Sequence, residues 1–114
     1  MAFERFTQIG RGYKPKVSIT KSGQIGFNQG AFKHFELDDY QYAVLYYDKD
    51  NLRIGIGLTN DHSEAGACKI RKRASGADIS ARSFFSFYGI DYTESHRYDA
   101  VWEEDEGKII VRLS

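Results

Sequence analysis

Alternating apolar and polar residues predict two short β-strands at the start of each half of the chain. Val17 and Ile19 alternate with polar residues, and Ile70 stands between charged neighbours in the second half. A Ser-Gly pair then marks a turn in each half, and a second extended piece follows the turn. The four predicted strands cover residues 16–20, 24–27, 69–73 and 77–80.

Each pair of predicted strands is followed by a helical pattern and then by a hairpin pattern. Ala31, Phe32 and Phe35 would line one side of a helix of about two turns. Gly89 is a suitable residue for the end of the second helix. The acidic segments between the hairpin strands predict solvated turns. The predicted helices are 29–36 and 81–88, and the predicted hairpins join 42–47 to 52–58 and 98–102 to 108–113.

The same order of elements occurs twice, and the two copies align residue by residue. Residues 16–58 match residues 69–113 at an offset of 53, which becomes 55 after a two-residue insertion near 93–96. We interpret this pattern as a tandem duplication, with chance similarity between two αβ patterns as the alternative. The matched pairs include Val17 with Ile70, Gly23 with Gly76, Phe32 with Phe85, Tyr47 with Trp102 and Ile54 with Ile109.

One copy is too short to bury a stable core alone, whereas two copies can share one. We therefore expect a single domain over residues 1–114, in which two strand-helix-hairpin repeats pack around a pseudo-twofold axis. The expected fold class is α+β, mostly β, in an intertwined barrel. An N-terminal segment, 1–15, precedes the first repeat, and a linker, 59–68, joins the repeats.

The copy pattern "SGQIGFNQGAFKHFELDDYQYAVLYYDKDNLRIGIGL" resembles the AbrB/MazE/MraZ (SpoVT-AbrB) superfamily of bacterial transition-state regulators and antitoxin DNA-binding domains. The resemblance covers nearly the whole chain after residue 15, and the tandem pair is most similar to the MraZ arrangement. It implies a swapped-hairpin barrel built by one chain, and DNA binding. The positions that match the glycine and apolar positions of the family motif are Gly23, Ile25, Phe27, Phe32, Phe35 and Leu37, and more loosely Gly76, Ile79, Phe85, Gly89 and Ile90.

The chain departs from the family motif at the positions of its arginine and its proline. Gln24 and Ala77 stand where the motif has arginine, and Asn28 and Ala81 stand where it has proline. The basic DNA contacts that the resemblance implies at those positions are therefore missing from this sequence.

Basic residues share one face of the first predicted strand of each repeat, because they alternate with Val17, Ile19 and Ile70. We predict that this face contacts the phosphate backbone of DNA, with an ordinary solvated strand face as the alternative. The predicted nucleic-acid-binding residues are Arg11, Lys14, Lys16, Lys69, Arg71 and Arg73.

Composition is that of an ordinary globular protein, with 41% hydrophobic and 28% charged residues. Sixteen basic and sixteen acidic residues cancel, which argues against a strongly basic nucleic-acid binder unless the charges are segregated. The acidic run 103–106, together with Asp48 and Asp50, suggests a dipolar molecule with a basic end and an acidic end. The single cysteine allows no internal disulfide, and the absence of a long apolar run favours a cytoplasmic protein without membrane contact.

Glycines and histidines give no sign of catalysis. Gly23, Gly26 and Gly30 crowd one stretch, but no Gly-Lys-Ser/Thr triplet follows them, so turns and close packing are favoured over a phosphate cradle. The three histidines are scattered, without the spacing of a zinc site or a nucleophile arrangement. We predict no catalytic residue, no metal and no cofactor; an enzyme with a deep pocket is the alternative.

Apolar residues occupy both faces of the predicted strand 42–47. Val44 and Tyr46 alternate with Leu45 and Tyr47, so we expect the strand to be covered on both sides, or to bind a second copy or a protein partner. The leading functional hypothesis is a small DNA-binding, transcription-regulator-like protein. The alternative is a non-enzymatic interaction or assembly module with the same barrel and no DNA binding.

Overall fold

The structure is a computed structural model, and it describes residues 14–74 and 76–113. Within these ranges the fold consists of nine strands and two short helices, with a 3₁₀ turn, Leu37–Asp39, after the first helix. In chain order the elements are β1 (Lys16–Ile19), β2 (Gln24–Phe27), α1 (Gln29–His34), β3 (Tyr42–Asp48), β4 (Arg53–Thr59), β5 (Cys68–Lys69), β6 (Arg71–Arg73), β7 (Gly76–Ser80), α2 (Arg82–Tyr88), β8 (His96–Glu103) and β9 (Lys108–Arg112).

All nine strands belong to one antiparallel sheet that curls into a nearly closed barrel. The strands follow the order β5-β3-β4-β9-β8-β1-β2-β7-β6. Only Ile70 separates β5 from β6 in the chain, so one short segment supplies both ends of the sheet. The mostly β, α+β fold class is thereby confirmed.

Around the barrel, pairs of strands from the first half alternate with pairs from the second half. The first strand, β1, pairs with β8 of the second hairpin, and β5 pairs with β3 of the first hairpin. The pairs β2 with β7 and β4 with β9 also join the halves. Neither half therefore has a complete sheet of its own.

The core lies inside the barrel, where every second residue of each long strand points inward. Phe85 of α2 and Ala31 of α1 close this core and are fully buried. Complete burial of a side chain such as that of Phe85 contributes about 1.5–3 kcal/mol. The inward-facing strand residues include Val17, Ile19, Ile25, Phe27, Ile54, Ile56, Ile79, Ala100, Ile109 and Val111.

The first helix is shorter than the predicted 29–36. It begins after Asn28, whose side-chain Oδ1 accepts a hydrogen bond of 2.8 Å from the Ala31 N–H. It ends at His34, because Glu36 adopts a left-handed backbone conformation with φ 54°. The second helix begins one residue later than predicted and ends before Gly89, as expected.

Residues with positive φ recur at the offsets that align the two halves of the sequence. In each pair the residue of the second half is a glycine, and the corresponding residue of the first half also has a positive φ. Gly66, in the linker, is the remaining described residue of this kind. The three pairs are Gly23 (φ 85°) with Gly76 (148°), Glu36 (54°) with Gly89 (65°), and Leu52 (52°) with Gly107 (63°).

The prediction of one continuous strand over residues 69–73 is wrong. The chain changes partners at Ile70, which is 3% exposed and donates a backbone hydrogen bond of 2.9 Å to the Gln41 carbonyl. Before it, β5 pairs with β3; after it, β6 pairs with β7. Because Ile70 is buried where the chain changes partners, two short strands, β5 and β6, form in place of the one that was predicted.

No helix within residues 14–74 and 76–113 combines the length and the apolar character needed to cross a bilayer.

Candidate nucleic-acid interface

One outer surface of the barrel is formed by five neighbouring strands, β8, β1, β2, β7 and β6. Residues that pair directly across antiparallel strands have their side chains on the same face of the sheet. Because Val17 and Ile19 point into the core, Ser18 between them faces outward. The row that crosses all five strands through this residue is Arg97, Ser18, Gly26, Asp78 and Arg71.

A second row lies beside the first. Lys16 pairs with Asp99 on β8, and Arg73 pairs with Gly76 on β7. Lys14 also reaches this surface, since its Nζ lies 3.8 Å from Asp99 Oδ1. We call this surface the basic face; it consists of Lys14, Lys16, Ser18, Gly26, Arg71, Arg73, Gly76, Asp78, Arg97 and Asp99. Its five cations exceed its two carboxylates by three charges.

Two arginines of the basic face share one buried carboxylate. Arg71 donates from Nε to Oδ1 of Asp78 at 2.7 Å, and Arg73 donates from Nε to Oδ2. Asp78 is only 6% exposed, whereas the side chains of Arg71 and Arg73 are 45% and 59% exposed. Among the described residues, neither guanidinium has another hydrogen-bond partner, so the Nη donors of both remain for a ligand.

The opposite side of the basic face carries a lysine pair around Asp99. Lys16 Nζ donates a hydrogen bond to Asp99 Oδ1, and Lys14 lies slightly farther away. The hydrogen bond from Lys16, followed by the charge of Lys14, lowers the pKa of the Asp99 carboxyl. Two cations on one carboxylate again leave an excess positive charge.

Arg97 is a basic-face residue that the sequence interpretation missed. It is exposed, and its side chain forms no hydrogen bond or ion pair with any residue in 14–74 or 76–113. The signal was present in the sequence, because Tyr98 and Ala100 face inward and so place Arg97 outward. At the rim of the same face, Arg82 donates from Nη2 to the Ser22 carbonyl at 3.1 Å.

The remaining two predicted site residues lie elsewhere. Lys69 is exposed on β5, opposite Tyr42, and the partner change at Ile70 separates it from Arg71. Two residues of extended chain span about 7 Å, so Lys69 lies beside the basic face without belonging to it. Arg11 lies outside the described residues.

The cations of β1 and β6 are brought near one another but not into contact. Two strands, β2 and β7, lie between them, which corresponds to about 14 Å at the usual strand spacing. Gly26 and Gly76 occupy the middle of this surface. A Cβ added at Gly26 would lie 4.0 Å from its nearest neighbours, so no steric need explains the glycine there. Its absent side chain leaves the centre of the basic face open.

The acidic turns of the two hairpins contribute Asp48 and Glu106 to the lining of one pocket beside Arg53. Arg53 pairs with Arg112, and Ile56 pairs with Ile109, so the turns that follow β3 and β8 lie at opposite ends of the β4–β9 pair. In the first turn, hydrogen bonds from Asn51 and Arg53 lower the pKa of Asp48 to about 2. An acidic end opposite the basic face stays a prediction.

The inner face of β3 packs on the core, and its outer face is covered only in part. Leu45 and Tyr47 pack against the core, while Val44 on the outer side is 8% exposed. Tyr46 lies over Gly57, where a Cβ would come within 3.4 Å of the Tyr46 ring. Tyr46 itself is 44% exposed, so binding of a second copy or a protein partner to this face stays a prediction.

Chemistry-bearing residues outside the basic face are dispersed. His96 lies 3.9 Å from Glu94, and burial raises the pKa of the Cys68 thiol. The part of the chain that the structure describes contains no group of three His, Cys, Asp or Glu side chains placed to hold a metal ion.

Comparison with known proteins gives no relative: no family model, no curated protein and no solved structure matches the chain. Function is therefore inferred from the chain's own strand pairing and charge distribution.

Proposed function

We propose that this protein binds duplex DNA through the basic face, as a small transcription-regulator-like protein related to the AbrB/MazE/MraZ superfamily by tandem duplication. Lys14, Lys16, Arg71 and Arg73 bind phosphates, and Lys69 and Arg97 extend the contact. Phosphate contacts of this kind position a protein on DNA, whereas base contacts in a groove give specificity. Gln24 at the edge of the face is an amide suited to such a base contact.

Strand pairing supports the proposed relationship. The first strand of each half pairs with the hairpin of the other half, as two copies that exchange hairpins would do. The three pairs of positive-φ residues at offsets of 53 and 55 support a duplication as well, since backbone conformation repeats where the side chains differ. We infer that the barrel is a swapped-hairpin dimer fold contained in one chain.

The pairing of Arg71 and Arg73 with Asp78 carries the functional proposal. Long arginine side chains lose conformational entropy when they bind a ligand, which weakens binding. Here Asp78 already holds both guanidiniums by Nε before any ligand arrives. Their outward Nη donors match the oxygens of a phosphate group. This pre-organisation favours an anionic partner over an ordinary solvated strand face.

The dimensions of the basic face suit a duplex. The cations of β1 and of β6 are separated by about 14 Å, which is close to the width of about 12 Å of the DNA major groove. The two cation groups can therefore contact phosphates on the two sides of one groove. The open centre at Gly26 lets the nucleic acid approach the strand backbone.

Charge reversal at an unpaired basic-face residue tests the proposal without breaking an internal ion pair. We expect Arg97→Glu to weaken binding of a duplex at low salt by about tenfold, a coupling of about 1.4 kcal/mol, measured by fluorescence anisotropy. Lys49→Glu, in the turn between β3 and β4, changes the net charge equally and should leave binding within about twofold. Equal effects of the two changes would contradict the assignment of the face.

An exposed aromatic cluster supports the second candidate, a protein-interaction or assembly module. Phe87 is 80% exposed and its ring lies 4.8 Å from that of Tyr88, which also contacts Phe84 and Tyr47. Aromatic residues are enriched in protein interfaces. Sedimentation of the wild type and of Phe87→Ser distinguishes this candidate: concentration-dependent association that the substitution abolishes, without DNA binding, would favour it.

A further inference from the structure

A half-open pocket of about 270 Å³ lies at the end of α1, away from the basic face's arginines. Four of its six lining residues carry rings: Trp102 from β8, Tyr40 from the segment before β3, and His34 and Phe35 from the end of α1. The rings of His34 and Phe35 meet edge to face at 5.1 Å. Leu58 and Glu36 complete the lining. The volume lies just below the usual range for drug-sized ligands, about 300–1,000 Å³, so it suits a small group.

The second half also has a pocket at the equivalent place, of about 290 Å³, lined by the counterparts Tyr47, Gly89 and Leu113, but its ring packing differs. Tyr47 corresponds to Trp102 and Tyr88 to Phe35, and the rings of Tyr47 and Tyr88 lie 5.0 Å apart. Phe84 contacts both, at 6.3 and 5.3 Å. In the first half the residue that corresponds to Phe84 is Ala31. Among the described residues Trp102 makes no contact with another ring, so its ring is available to a ligand, whereas the ring of its counterpart Tyr47 is packed against Phe84 and Tyr88.

Glu36 contributes the one permanently charged side chain of the pocket lining. Within the described ranges its carboxylate has no hydrogen bond or ion pair. Glu36 also holds a left-handed backbone with φ 54°, where its counterpart in the second half is Gly89. A non-glycine residue in this conformation is strained, and such strain concentrates at functional positions.

Ring faces and a lone carboxylate together favour one class of ligand. A cation placed over aromatic rings is attracted by their quadrupoles, and quaternary ammonium groups combine positive charge with an apolar surface. Glu36 is exposed at the rim of the pocket, where its carboxylate attracts a cation and repels an anion, while a neutral apolar ligand gains nothing from the charge. We propose that this pocket binds a quaternary ammonium group. The group could belong to a small solute such as choline or to a trimethylated lysine side chain.

Trp102 is the single tryptophan of the chain and reports on the pocket directly. Titration with choline should change its fluorescence in a saturable manner. The neutral carbon isostere 3,3-dimethylbutanol has the same shape without the charge, and we expect it to bind about five- to thirtyfold more weakly. Equal affinity for the two compounds, or no change with either, would overturn the proposal.

Substitutions of Glu36 test the contribution of its charge to binding separately from the shape of the pocket. Glu36→Gln should weaken choline binding at least about fivefold while the protein stays folded. Glu36→Gly should weaken it equally, and it removes the backbone strain, so misfolding cannot explain that loss. A full-affinity Glu36→Gln protein would overturn the proposal. A peptide with trimethyl-lysine that binds more tightly than choline would assign the group to a protein partner, and equal affinities would assign it to a free solute.

Discussion

Arg71 and Asp78 lie directly opposite each other on β6 and β7, with Nε of the arginine 2.7 Å from Oδ1 of the aspartate. The aspartate is buried although it points to the outside of the barrel, because Arg71 and Arg73 cover it. This arrangement fixes two exposed guanidiniums side by side. It links the register of two strands to the positive charge that the basic face presents.

Loss of both arginines should destabilise the fold by leaving a carboxylate buried without a partner. We expect Arg71→Ala with Arg73→Ala to lower the free energy of unfolding by about 2–4 kcal/mol. The upper end is reduced because both arginines are half exposed. Adding Asp78→Ala to this double variant should recover part of the loss. Urea unfolding of the wild type, double and triple variants measures the effect, and a triple variant less stable than the double would contradict the account.

Replacement by alanine should change stability by very different amounts at two glycines on neighbouring strands. A Cβ at Gly76 would lie 2.0 Å from the Phe27 carbonyl oxygen, and its φ of 148° is unfavourable for alanine. We expect Gly76→Ala to cost at least about 2 kcal/mol of stability. Gly26→Ala meets only ordinary contacts and should change stability by less than about 1 kcal/mol. Thermal unfolding of the two variants compares them, and similar melting temperatures would refute the assigned close approach.

Left-handed residues in the first half should be improved by the glycine that the second half uses. Leu52→Gly removes strain in a hairpin turn, at the position that corresponds to Gly107. We expect it to raise the free energy of unfolding by about 0.5–1 kcal/mol, because the relief exceeds the entropy cost of glycine. Gly107→Ala should lower it by about 1 kcal/mol. Chemical denaturation of both variants checks the signs; destabilisation by Leu52→Gly would show that the two turns are not equivalent.

Asp48 should stabilise the fold above about pH 4 and lose this effect at more acidic pH. Hydrogen bonds from Asn51 and Arg53 depress its pKa from 3.8 to about 2. A depressed carboxyl pKa stabilises the folded state above the unfolded pKa, and this contribution is lost as the pH falls from about 4 towards 2. The stability difference between the wild type and Asp48→Asn should therefore be present at pH 5 and disappear near pH 2. A carboxyl titration by NMR with a midpoint near 3.8 would contradict the prediction.

Periodicity was sufficient to predict most elements of this fold. Both helices and both hairpins lie within about two residues of their predicted bounds, since core-facing residues such as Phe85 and Ile109 set the period. The glycine signals were also correct, since Gly23 of the first Ser-Gly turn and Gly89 at the end of the second helix both have positive φ. Local patterns of this kind are decided by neighbours in sequence.

The buried carboxylate could not be predicted, because it depends on a difference in register between the halves. On β1 and β2, Ile19 pairs with Ile25, and both face the core. Their counterparts are Lys72 and Asp78, but Lys72 pairs instead with Ala77. A slip of one residue reverses the face of each side chain relative to its partner. Asp78 therefore faces outward, beside the arginines.

Salt dependence of DNA binding by the wild-type protein tests the central claim most directly. With an excess of three charges on the basic face, the logarithm of the binding constant should fall with the logarithm of salt concentration at a slope of about −3. In Arg97→Ala the slope should become shallower by about 1. Absence of binding to duplex DNA at low salt, or a slope near zero that Arg97→Ala leaves unchanged, would contradict DNA binding through the basic face.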